Sequence, residues 1–222
     1  MVKIIRSYSI DNIDLKFLDL NTSRTLEWVI NDGLIKDEYG MKNISFNDND
    51  VVLDIGANVG CISIYLAKKY PNIKIYAFEA HPINYQSLLD NININEVNNI
   101  ITFNKAVHSK TGEILKITLN ELNTGSSSFF MESQTEKYDV EAISIDDIIT
   151  DYKIDKLKLL KIDCEGAEFD IIEGSDKLKL IEIDTLGMEV HGFMRDYGKD
   201  FDKFYSIIEN LNIKNKNIVK LD

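Results

Sequence analysis

Ten residues, Val51-Val52-Leu53-Asp54-Ile55-Gly56-Ala57-Asn58-Val59-Gly60, constrain this chain more than any other segment. The apolar stretch around Asp54 suits a central strand covered on both faces. Gly56 tolerates backbone angles barred to other residues, and Gly60 lets a following helix pack close to the strand. Strand, tight turn and helix in that order predict an α/β domain. The main-chain N–H groups of the turn would face a ligand at the carboxyl end of a parallel sheet.

Helix and strand alternate around this turn. Residues 13–20 read as a strand or one arm of a hairpin. Thr22 or Ser23 caps a helix through Leu26, Trp28, Val29 and Ile30 that ends near Gly33. A helix from Ile62 to Ala67 follows the turn, then a strand over 73–78, a helix over 82–91 and a strand over 100–107. Residues 113–119 and 138–144 form a β-hairpin-like insertion, joined by a polar link containing Gly125-Ser126-Ser127-Ser128. A short helix at 146–150, a parallel strand at 157–163, a helix at 169–173 and a strand at 180–188 complete the alternation. An amphipathic helix at 199–210 precedes a tail, through Ile213 and Ile218, that supplies a closing antiparallel strand. One domain over 1–222 is expected, with an N-terminal extension or pocket cover at 1–49, a core at 50–222 and the insertion near 113–144.

A chain of 222 residues that is 44% apolar can bury a sizeable core, while a net charge of −12 argues against a nucleic-acid phosphate backbone as partner. Cys61 and Cys164 offer neither a disulfide framework nor metal spacing. The N-terminus lacks a signal-like apolar stretch and no segment reaches membrane-spanning length, so a cytoplasmic protein without a membrane span is expected. The sequence is silent on oligomeric state.

The turn's second position carries the chemistry. A dinucleotide site wants Gly-x-Gly-x-x-Gly, but Asn58 stands at the second glycine position and Asp54 precedes the turn. An acid there suits a cofactor with a cationic group, S-adenosylmethionine, better than one with two phosphates. Glu79 closes the next strand, 19 residues after Gly60, where a carboxylate accepts both hydroxyls of a ribose. Asp54, Gly56, Asn58 and Gly60 are then expected around the methionine portion, Glu79 at the ribose and Ala106 with Val107 at the adenine, with Ala57 and Ala80 also binding the cofactor. Asp163 and Glu165 follow an apolar strand that should end in the same cleft, and Glu189 and His191 share a side of the next strand. These four are candidates to orient or deprotonate a methyl acceptor; the acids equally suit helix capping or a metal. No obligatory metal is expected, because no recognisable ligand spacing is present. Arg24, Trp28 and Tyr39 are candidates for covering the pocket, and His81 and His108 read as solvent-facing or beside the adenine.

With these residues in view, the chain resembles the FkbM family of S-adenosylmethionine-dependent methyltransferases over roughly residues 50–190. The likeness rests on Asp54-Ile55-Gly56-Ala57-Asn58-Val59-Gly60, Phe78-Glu79-Ala80-His81-Pro82, Asn104-Lys105-Ala106-Val107 and Lys161-Ile162-Asp163-Cys164-Glu165-Gly166-Ala167-Glu168. Gly125-Ser126-Ser127-Ser128 and Glu189 also look like later blocks of that family. Ala80 stands where the family commonly has proline, which bears on the shape of the adenine pocket. The resemblance implies a seven-stranded Rossmann-like sheet and O-methylation of a hydroxyl on a small molecule, sugar or glycan. The alternatives are a nicotinamide-dependent oxidoreductase and a non-catalytic nucleoside-binding or scaffold protein on the same fold.

Overall fold

A computed structural model describes residues 3–20, 25–118 and 137–221. The chain opens with a hairpin of β1 (Lys3–Ile10) and β2 (Ile13–Leu20). Asp11 and Asn12 both take positive φ (52° and 62°), the geometry of a two-residue turn that matches strand twist. A helical turn α1 (Thr25–Trp28) continues into a wider π-helical segment, Val29–Ile35. The core then runs β3 (Val51–Ile55), α2 (Cys61–Lys69), β4 (Lys74–Phe78), α3 (Pro82–Asn95), β5 (Ile100–Phe103), β6 (Ala106–His108), β7 (Ile114–Thr118) and β8 (Lys137–Ser144). It ends with α4 (Ile145–Asp151), β9 (Lys156–Ile162), α5 (Glu168–Glu173), β10 (Glu182–His191), α6 (Phe201–Glu209) and β11 (Ile213–Leu221).

Six of these strands form one sheet in the order β11-β10-β9-β3-β4-β5, every neighbouring pair parallel. From β3 the chain steps outward through β4 to β5, then returns to the other side of β3 for β9, β10 and β11. The reversal of winding between β3 and β9 opens a crevice at their carboxyl ends, where ligands of open α/β sheets bind. Side-chain alternation explains the layers. Leu53, Leu160 and Leu186 face a core closed by Phe169, Phe204 and Ile148, while Val52, Ile75 and Leu159 face one closed by Ile64, Leu66 and the N-terminal hairpin. Asn91 and Asn95 of α3, both buried, hold that hairpin by accepting the Leu18 N–H (2.7 Å) and Lys16 N–H (3.0 Å).

Two expectations are corrected. The tail does not return antiparallel: β11 pairs parallel with β10, because α6 lies between them and carries the chain back to the starting end of the sheet before β11 begins. The main sheet therefore has six described strands rather than seven. The strand expected over 100–107 breaks at Asn104-Lys105, so that β6 leaves β5 and pairs with β8 in a separate sheet of order β6-β8-β7. Asn104 anchors the break by donating to the Glu79 and Ala80 carbonyls (3.0 and 2.9 Å). The Thr22 or Ser23 cap, Arg24 and the Gly125-Ser126-Ser127-Ser128 segment lie outside the described residues. No helix among those described is long and apolar enough to cross a membrane.

Candidate active site

A cavity of about 390 Å³ occupies the crevice between β3 and β9. Its floor is the glycine turn. Gly56 and Ala57 both donate to the Phe78 carbonyl (3.0 and 2.9 Å), which ties the turn to the end of β4. Gly56 has φ +77°, and a Cβ there would lie 1.7 Å from the Asp163 carbonyl oxygen. Only glycine lets the β3 turn and the β9 tip approach this closely. Gly60 does not reach the cavity; at φ +91° it lets α3 close in, since a Cβ would meet Leu88 at 2.4 Å.

Asp54 is also absent from the cavity wall. It is fully buried below the turn, 3.2 Å from the Lys161 Nζ and accepting from Ser63 Oγ at 2.6 Å. Lys161, 3% exposed, donates to the Gly56 carbonyl at 2.6 Å and lies 3.7 Å from Asp163 Oδ2. Burial opposes its charge, but Asp54, Asp163 and Glu189 outweigh burial and raise its pKa. Asp54 therefore acts on the site through Lys161, a residue the sequence reading quoted in a family block but gave no role. The signal was present, because a lysine two residues before Asp163 on an apolar strand shares a side with it.

Glu79 lines the cavity at the end of β4 and is 5% exposed. Its carboxylate accepts the N–H groups of Asn58 and His81, both at 2.8 Å, so it braces the turn besides facing the ligand space. Burial pushes its pKa up to about 7 against the lowering effect of those N–H groups, of Lys161 and of Asn84. Ala57, Asn58, Ala80, Ala106 and Val107 line the same region. His81 is not solvent-facing: it is fully buried as the cap of α3, its Nδ1 accepting the Ile83 N–H at 3.3 Å, and burial lowers its pKa to about 4. His108 instead faces Asp170, 3.5 Å away.

Folded Glu79 holds its proton to about pH 7, whereas an unfolded chain releases it near 4.5. The protonated folded form is thus favoured most at low pH, and stability should fall as pH rises from about 4.5 through 7. Glu165 and Glu189, raised chiefly by burial to about 8 and about 7, add the same sign. Denaturant titrations of the ligand-free protein should lose on the order of a few kcal/mol between pH 5 and 8. Glu79→Gln should flatten that slope; a slope unchanged by the substitution would remove Glu79 as its source.

Four candidate residues converge at the tips of β9 and β10. Asp163, Glu165 and Glu189 line the cavity, and His191 closes it from behind. Tyr39, 2% exposed, donates its phenol to Glu189 at 2.8 Å and lies 3.1 Å from Asp163, while Trp28 forms part of the rim. The His191 Nδ1 sits 2.5 Å from Glu168, and its Nε2 lies 3.4 Å from Glu165. Burial opposes the imidazolium, but Glu168, Glu165 and Asp163 raise its pKa to about 9. Glu168 is wholly buried and also accepts the Gly166 N–H at 2.7 Å. The Cys164 thiol is no nucleophile here, since burial and then Glu168 push its pKa well up.

Comparison with known proteins agrees with this geometry. The family model described as "Methyltransferase FkbM domain" matches residues 54–214, well over half the chain. Among curated relatives, Methyltransferase sdnD of Sordaria araneosa is 27% identical over 158 residues, covering 58% of this chain and 61% of that protein. 31-O-demethyl-FK506 methyltransferase FkbM of Streptomyces tacrolimicus is 23% identical over 181 residues, covering 69% and 70%. The chain spans about three fifths of the length of the first relatives it matches (61% and 60%). Among solved structures, precorrin-6y C5,15-methyltransferase from Geobacter metallireducens superposes with a TM-score of 0.39 at 14% identity, over 77% of this chain and 65% of that one. So loose a superposition adds nothing to the assignment, which the family match carries alone. The chain belongs to the FkbM methyltransferase family, whose cofactor is S-adenosylmethionine.

Proposed function

We propose that this protein transfers a methyl group from S-adenosylmethionine to a hydroxyl of a small molecule, sugar or glycan. The observation that carries the reading is a single cavity lined by Glu79, the glycine turn and the Asp163, Glu165 and Glu189 carboxylates. The O-methylation part draws on the name of the Streptomyces relative, which describes a 31-O-demethyl substrate.

The residues fit the cofactor. The volume, about 390 Å³, falls in the range of small-molecule sites. Glu79 Oε2 accepts one N–H, from Asn58, and keeps a lone pair for a ribose hydroxyl, while Oε1 accepts His81 and, at 3.5 Å, Asn84. Ala57 and Asn58 leave the turn open to the methionine portion, and Ala106 with Val107 offers an apolar wall for the adenine. Bound there, S-adenosylmethionine supplies an electrophilic methyl group. The protein's part is to hold the acceptor oxygen against that group and take its proton. Glu165, raised to about 8, is the proposed acceptor of the hydroxyl proton. Tyr39 fixes Asp163 and Glu189, and Lys161 anchors Asp163 to the glycine turn. Family membership sets aside the oxidoreductase alternative; measurable turnover would do the same for the idle scaffold.

Calorimetry should give micromolar binding of S-adenosylmethionine or its demethylated product, about −8 kcal/mol. Glu79→Ala should weaken it by about 1.5–3 kcal/mol while the protein stays folded. Unchanged affinity would refute the ribose assignment. Radiolabelled methyl transfer into cell extract, followed by linkage analysis, identifies the acceptor, and label on nitrogen would overturn O-methylation.

A further inference from the structure

The carboxylate wall of the cavity assembles a donor set invisible as sequence spacing, because its members come from two different strand ends. One ligating atom each from Asp163, Glu189 and His191 lies within 4.8 Å of the others. Asp163 follows the end of β9, and Glu189 and His191 sit two residues apart at the end of β10. His191 is 5% exposed and its ring is fixed from behind. Glu168 Oε1 holds Nδ1 at 2.5 Å and accepts the His191 main-chain N–H at 3.1 Å. Nε2 is thereby turned toward the acids, with Glu165 Oε2 at 3.4 Å. A carboxylate clamping one ring nitrogen while the other faces acids is how proteins orient an imidazole toward a metal.

Charge points the same way. Asp163, Glu165 and Glu189 crowd together on the wall of a partly enclosed cavity, where Lys161, held by Asp54 and the Gly56 carbonyl, stands 3.7 Å from Asp163 Oδ2. A dication there displaces the proton from the imidazole and gathers the carboxylates around itself. We infer that Asp163, Glu189 and His191, with Glu165 beside them, bind a divalent first-row transition-metal ion of the Mn²⁺ or Zn²⁺ type. The imidazole separates this set from the all-oxygen cages of calcium and magnesium. Neighbouring ligands around such an ion stand about 3 Å apart, so binding draws the three side chains inward by small rotations. Tyr39 then bonds the outer oxygens of the ligating carboxylates. The ion's place in catalysis, polarising the acceptor hydroxyl so that its proton leaves more readily, rests on the methyl-transfer reading above; the binding site does not.

The test is a Mn²⁺ titration of the full chain after chelator treatment, followed by electron paramagnetic resonance, with S-adenosylmethionine calorimetry on the same samples. The wild type should bind one Mn²⁺ per chain with micromolar affinity. His191→Gln and Asp163→Asn should each weaken Mn²⁺ at least tenfold while keeping cofactor affinity within about threefold, which also certifies their fold. Glu189→Gln is the second line should either variant melt early. Glu168→Gln should weaken Mn²⁺ less, since it only orients His191. No stoichiometric binding by the wild type, or unchanged affinity in the ligand variants, overturns the site. Mn²⁺ bound without cofactor binding supports the site while the methyltransferase reading fails; cofactor bound without Mn²⁺ does the reverse.

Discussion

Replacing Lys161 by methionine is expected to destabilise the fold by about 3–5 kcal/mol, the usual cost of leaving one member of a buried ion pair alone. Asp54 is fully buried and faces Lys161 Nζ at 3.2 Å; its remaining partner among the contacts described, Ser63, cannot neutralise it. The substitution also strips the Gly56 carbonyl of its 2.6 Å donor at the turn that forms the cavity floor. Denaturant midpoints should fall at constant m-value. The double variant Lys161→Met with Asp54→Asn should recover much of the loss, since the carboxamide needs no cation, and that recovery separates an orphaned charge from lost packing. A single-variant loss below about 1 kcal/mol would mean that water or a rearranged side chain solvates Asp54, contrary to its burial.

The same pair marks where sequence reading reached and where it stopped. Gly56, Gly60 and the apolar runs of β3, β4 and β9 were legible because their requirements are local: a positive φ, a period of two, a buried strand length. Family-sized blocks around Glu79 and Asp163 were legible as strand tips for the same reason. Asp54 was read as facing a cationic cofactor because its cation lies 107 residues away on β9, and pairing across strands leaves no mark in spacing. The direction of β11 was equally hidden. A nine-residue strand of mixed polarity reads alike in either sense, and only the helix before it, returning the chain to the near end of the sheet, decides. Residues 100–107 looked continuous since Ile100–Phe103 and Ala106–His108 both favour extended backbone. The break at Asn104 depends on two carbonyls of the loop after β4. Tyr39 was named only as cover; its bridge between Asp163 and Glu189 requires three separate segments to meet.

Glu165→Gln should lower turnover by about 10²–10⁴-fold while leaving the melting curve and S-adenosylmethionine affinity close to wild type. Glutamine keeps the shape of Glu165 and its place beside His191 but cannot take a proton from the acceptor. The backbone at Glu165 already sits at φ +54°, and Gly166 follows at +104°, so the loop is held by its own geometry and by Glu168 accepting the Gly166 N–H. Swapping a carboxylate for a carboxamide should not move it. Asp163→Asn is expected to lose turnover as well, through a different route: Tyr39 and Lys161 both address that carboxylate, and weakening their hold loosens the position of Glu189 too. The two variants should therefore differ in KM. Glu165→Gln should leave acceptor KM near wild type with kcat reduced, whereas Asp163→Asn should raise KM and lower kcat together. Near-normal kcat in Glu165→Gln would move the proton acceptor to Glu189, a neighbouring carboxylate on the wall. Loss of cofactor binding in either variant would assign these acids to the S-adenosylmethionine pocket instead. A tenfold or smaller loss in both would leave methyl transfer governed by positioning alone, with proton removal left to water.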